Sequence, residues 1–111
     1  MFEGEFEVIM RLLLSVALGA LVGVEREMTQ KAAGLRTHML VSLGACLFTV
    51  ISVIYFQVDP ARIAAAIVTG IGFIGAGSII AARGGVHGVT TAASLWTVAG
   101  IGLAVGAGAY M

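Results

Sequence analysis

Charge is scarce in this chain. Its 111 residues include six Lys and Arg and six Asp and Glu, 11% of the total, against 59% hydrophobic residues and a mean hydropathy of +1.07. Such a balance lies outside the range of soluble domains and reads as a membrane protein. The formal net charge is zero, so nothing points to a nucleic-acid partner. Cysteine occurs once, as Cys46 inside an apolar run, where it is a small buried hydrophobe that carries no information about redox compartment. The N-terminus opens MFEGEFE, with glutamates where a cleavable signal peptide would carry basic residues, which argues against one. No carboxylate side chain follows Asp59, and the single proline, Pro60, makes with it a tight connection suited to a helix start.

Long apolar runs fill the space left by charge. Segments 37–58, 63–82 and 84–111 hold no Asp, Glu, Lys or Arg, and each is long enough to cross about 30 Å of hydrocarbon as a helix. The first run is short, with 13 residues between Arg11 and Glu25, which cover roughly 20 Å. Either Arg11 snorkels outward, or Glu25 and Arg26 are held against other helices near the membrane boundary. The sequence thus predicts an all-α polytopic bundle of four transmembrane helices near 6–25, 38–57, 61–82 and 89–110, as one transmembrane domain over 1–111 with no soluble domain.

The stretch GVEREMTQKAAGLRTH, residues 23–38, gathers Glu25, Arg26, Glu27, Lys31 and Arg36. With Arg83, its basic residues weight the 1–2 and 3–4 connections against Arg11 and Arg62 on the other side, which predicts that those loops are cytoplasmic and both termini outside. A contact from Arg36 to Glu25 or Glu27 is expected to satisfy charge near the interface; freely solvated charges are the alternative.

Small residues recur at helical spacing: Ser15, Gly19 and Gly23; His38, Ser42, Ala45, Thr49 and Ser52; Ala65, Thr69, Gly72 and Ala76; Ala93, Thr97, Gly100, Ala104 and Gly108. In lipid, helices associate through such stripes by close backbone approach and interhelical hydrogen bonds. The third helix has small residues on another side too (Ala66, Gly70, Gly77, Ala81), which predicts a central position or an oligomer contact, with a homodimer favoured over a purely intramolecular bundle. Thr90, Thr91, Ser94 and Thr97 are expected to face the interior, with local bonding to helix carbonyls as the alternative and Trp96 on a different side.

Two motifs are weaker. GIGFIGAG, residues 70–77, matches the G-x-G-x-x-G dinucleotide fingerprint, but the preceding strand and the downstream acid that fingerprint needs are missing, so helix packing is the better reading. GLRT at 34–37 and GVTT at 88–91 each open an apolar helix, which suggests a parallel two-helix repeat in which Thr37 or Thr90 caps its helix.

Together, GALVGVEREMTQKAAGLRTHMLVSLGA, RIAAAIVTGIGFIGAGSI and GVHGVTTAASLWTVAGIGLAVGAG resemble the transmembrane domain of the MgtC/SapB family, bacterial inner-membrane proteins, over about residues 12–110. The resemblance carries to Gly19, Gly23, Glu25 and Arg26, to Gly34, Leu35, Arg36 and Thr37, to Gly70, Gly72, Gly75 and Gly77, and to Thr90, Thr91, Ala92, Ala93, Leu95 and Trp96. It implies a role in growth under magnesium limitation and, in pathogens, survival inside host cells. Family members often have Asn at Thr90 and Cys at Thr97. They usually continue into a fifth helix and often a soluble domain, so the chain reads as a short member or an excised core.

Chemistry is thinly provided. His38, His87 and scattered hydroxyls do not assemble an enzyme, and no cofactor is implied. Magnesium would want carboxylate oxygens, and the last three helices have none, although a carbonyl-lined path through an unwound GIGFIGAG is an alternative. The reading is therefore a non-enzymatic membrane protein that binds and modulates a membrane partner; the alternative is a small ion or solute transporter.

Overall fold

The computed structural model describes residues 2–31, 33–56, 60–81 and 86–109, in four helices: α1 (Phe2–Met28), α2 (Leu35–Tyr55), α3 (Pro60–Ala81) and α4 (Val86–Ala107). All four are long and apolar enough to cross a membrane. The chain is an all-α membrane bundle, as its hydropathy requires. Pro60 opens α3, since a residue without an N–H is tolerated in the first helical turn. The preceding turn, like Arg83 and the side chain of His87, lies outside the described residues. Gly34 stands outside α2 as its N-cap, whereas Gly88 is already the third residue of α4.

Glycine decides how closely the helices approach. A methyl added at Gly19 would meet the carbonyl oxygen of His38 and Cβ of Ser42, both at 2.8 Å, and one at Gly23 would meet Cα of Leu35 at 2.8 Å. The two glycines therefore let α1 lie backbone to backbone on α2. From the other side, a methyl at Gly102 would run into the Ser42 carbonyl oxygen, and one at Gly106 would stand 2.7 Å from the carbonyl oxygen of Cys46. Thus α2 is gripped between α1 and α4. Its predicted stripe (His38, Ser42, Ala45, Thr49 and Ser52) is buried throughout, as are Ser15, Gly19 and Gly23 of α1.

The other two stripes fall elsewhere. On α4 the buried face is Thr91, Leu95, Val98, Gly102 and Val105, while Ala93, Thr97 and Gly100 are exposed, so the buried face lies roughly 140° around the helix from the expected line. The reason is steric: α4 packs on α2 where Gly102 and Gly106 admit a backbone, and that contact fixes its rotation. Nor is α3 central. It leans on α4 through Ile71 and through Gly75, whose added Cβ would lie 3.2 Å from the Ala92 methyl, meets α2 less closely and does not touch α1 among the described residues. Both of its small-residue sides, Ala65, Thr69, Gly72 and Ala76 as well as Ala66, Gly70 and Gly77, are exposed in the single chain; Ala81 lies outside the described side chains. An apolar cleft of about 790 Å³ separates α3 from α2, walled by Phe48, Ile51, Ile63, Ile67 and Ile74.

Candidate functional site: a polar seam closed by two arginines

Polar side chains collect where α1, α2 and α4 meet. At the end bearing the α1–α2 loop, Arg26 is 5% exposed, and its Nη2 donates to Oγ1 of Thr91 at 2.6 Å; Thr91 is 1% exposed. One turn deeper, the fully buried His38 joins Gly34 O through Nδ1 and Oγ of Ser94 through Nε2, both at 2.8 Å. A carbonyl can only accept, so Nδ1 carries a hydrogen. With a neutral ring, the Ser94 hydroxyl donates to Nε2; with a charged ring, it accepts from Nε2 and donates to Thr91 O, which it reaches at 2.8 Å. The Ser94 hydroxyl therefore has two places to point.

Further along, Ser42 Oγ donates to Ser15 O at 2.7 Å, which ties α2 to α1, and Ser15 Oγ donates back to Leu12 O at 2.7 Å. Cys46 is wholly buried beside them. At the far end, Arg11 donates from Nη1 to the Gly106 carbonyl at 2.9 Å and from Nη2 to Glu7 Oε1 at 2.6 Å. Here it satisfies a carbonyl at the C-terminus of α4, where a cation is favoured. The spacing has a simple logic. Arg11 and Arg26 are fifteen positions apart on α1, Thr91 and Gly106 are fifteen apart on the antiparallel α4, and both intervals rise about 22 Å. One helix thereby clasps the other near both ends. Of the two routes open in the sequence, Arg11 reaches back toward Glu7, and of the Glu25 and Arg26 pair only Arg26 is held against α4, Glu25 being exposed.

The other candidates divide. Thr91 and Ser94 face the interior. Thr90 and Thr97 are exposed, a correction to the expected line, because the Gly102 contact turns α4 away from them. Trp96 is exposed as well. Arg36 and Thr37 are exposed. No hydrogen bond or ion pair among the described residues joins Arg36 to Glu25 or Glu27, which overturns that expected contact. Instead, Glu27 Oε1 accepts the Leu35 N–H at 3.3 Å and takes over the start of α2. That start has no side-chain cap from its own N-cap residue, and Thr37 does not serve as one. Gly70, Gly72, Gly75 and Gly77 all lie in unbroken helix, so the backbone there is not unwound, as the alternative of a carbonyl-lined path through it would require. The sequence places His38 on a buried stripe but does not show that it joins α2 to α4; the four-residue step from Gly34 to His38, one helical turn, signals only the local bond to Gly34 O.

A profile of the MgtC family matches residues 12–111. Among curated relatives, a protein named "Putative magnesium transporter YhiD" from Escherichia coli K12 is 44% identical, with 94% of this chain aligned to 53% of the relative. "Protein MgtC" of Salmonella typhimurium LT2 is 49% identical, with 95% of this chain aligned to 46% of the relative. An uncharacterized protein of Haemophilus influenzae is 40% identical, over 88% of this chain and 46% of its own length. The chain spans about half the length of these relatives. No solved structure matches it.

Proposed function

The chain belongs to the MgtC family, and from that premise we propose that it is a multi-pass protein of the bacterial inner membrane that serves adaptation to low magnesium and survival inside host cells. It does so by docking and modulating a membrane partner, without catalysis of its own. In this reading the 1–2 and 3–4 loops face the cytoplasm and both termini lie outside, on the bias of Arg26, Lys31, Arg36 and Arg83 over Arg11 and Arg62.

The observation that supports it is the charge of the seam. A dication entering the interior of the single bundle would meet a guanidinium at each end, and the one carboxylate bonded there among the described residues, Glu7, already holds Arg11. At an effective dielectric of about 20, one dication about 5 Å from one guanidinium is repelled by roughly 7 kcal/mol. The name of the Escherichia coli relative speaks for magnesium transport by that protein. Liposomes containing only this chain separate the readings: magnesium flux should not exceed that of protein-free vesicles, and a saturable flux lost on substitution of seam residues would establish the transporter.

Docking also needs an exposed helix face, and α3 has two. Homodimerisation through α3 is part of the proposal. Ala66→Cys, Gly70→Cys or Gly77→Cys, each in a Cys46→Ser background, should give intermolecular crosslinks in native membranes from at least one position. Silence at all three would leave the single-copy bundle.

A further inference from the structure

Among the described residues, Arg26 is the only Lys, Arg, Asp or Glu more than nine-tenths buried, and its Nε has no hydrogen-bond partner. Buried charge is ordinarily compensated, because a cation out of water without a counter-charge is costly. No carboxylate among the described residues supplies that counter-charge. Glu25 and Glu27 are exposed, and Glu27 is engaged by the Leu35 N–H. Glu5 and Glu7 stand near the start of α1, at the opposite end of that helix, and Asp59 and the side chain of Glu3 lie outside the described residues. The C-terminal dipole of α1 favours a cation in its last turn, where Arg26 sits, but it leaves Nε without an acceptor.

We propose that Arg26 is the anchor of an oxyanion site of the phosphate class. The Nε–H is unused, and Nη2 has two hydrogens of which Thr91 takes one, so the guanidinium keeps donors for the oxygens of a phosphate. Chloride can accept from the same donors, but as one atom it does not match the paired geometry that two phosphate oxygens offer. The surroundings favour an anion: among the described residues, this end carries Lys31 and Arg36 besides Arg26, against Glu25 and Glu27. The site also lies where the first membrane span ends, the level of lipid phosphates. A headgroup phosphate and a free phosphate share this chemistry. The proposal is independent of the partner-docking reading, since it concerns the charge balance of the chain itself.

The test has two arms. In phosphate-free maltoside detergent, inorganic phosphate is titrated against chloride at constant ionic strength and the thermal midpoint is read. In parallel, the chain is placed in nanodiscs of phosphatidylglycerol or of a phosphate-free galactolipid. A saturable rise of about 3 °C or more with inorganic phosphate identifies a free anion. The same rise from galactolipid to phosphatidylglycerol, with no further gain from inorganic phosphate, identifies a headgroup. Either response should vanish in Arg26→Gln and persist in Arg36→Gln, whose guanidinium is exposed. Should Arg26→Gln not fold, Arg26→Lys keeps the charge without the fork and should weaken the response at least about tenfold. In the parent chain, the Arg26 side-chain ¹⁵Nε resonance should move with phosphate and not with chloride. Equal midpoints in phosphate and chloride and in both lipids, or an equal response in parent and Arg26→Gln, would overturn the site; an acidic protein segment as the true counter-charge gives the first of these results.

Discussion

Gly102→Ala is expected to destabilise the bundle by about 2 kcal/mol, although alanine is the better helix former by roughly 1 kcal/mol. The added methyl points at the Ser42 carbonyl and would lie 3.0 Å from the Ala45 methyl, and backbone cannot give way as a flexible side chain can. α4 must instead move off α2, and every contact along that line loosens with it. Gly100→Ala, two residues earlier on the same helix, meets nothing within 4 Å and should gain or lose little. The pair shares one change of propensity, so their difference isolates the close approach. Unfolding both in a denaturing detergent series measures it, and equal midpoints would mean that α2 and α4 are not in contact at Gly102. Adding Gly106→Ala to Gly102→Ala should cost less than the sum, because helices already parted by one methyl have room for the second.

His38→Ala should cost about 3 kcal/mol. The imidazole is fully buried, so its loss leaves a cavity and removes the link from α2 to Ser94. Gly34 O would still receive the His38 backbone N–H at 3.2 Å, so the cost arises chiefly from packing and from the α2–α4 bond. His38→Phe tests that division. It fills most of the volume without the bonds and should lose about 1–2 kcal/mol, and a loss as large as that of alanine would assign the node to hydrogen bonding alone. Hydrogen exchange at the start of α2 should quicken in both variants, since Nδ1 holds Gly34 to the first turn.

Helix number was legible because lipid leaves a segment few choices. A run without charges and long enough to span must satisfy its own backbone, and the four helices differ from their predicted bounds by at most four residues at any end. The stripes on α1 and α2 were legible as well, for each helix has one row of small residues continuous enough to admit a neighbour. On α3 and α4 small residues occupy several sides, so composition could not rank them. Arg26 was visible as a charge at the end of a short span, but the sequence does not show that Thr91, 65 positions away, would receive it.

By itself the sequence determined that this chain lives in a bilayer, how many times it can cross, and where its charges must gather, because those follow from transfer free energies summed along local segments. Only the tertiary structure decided which face of α4 is buried, that α3 stands at the edge, that Glu27 rather than Arg36 organises the loop, and that α1 clasps α4 with an arginine near each end. These depend on how closely particular backbones approach. A methyl's width at Gly102 or Gly106 sets the rotation of a whole helix, and no periodicity within one helix records where its neighbour's carbonyl will lie.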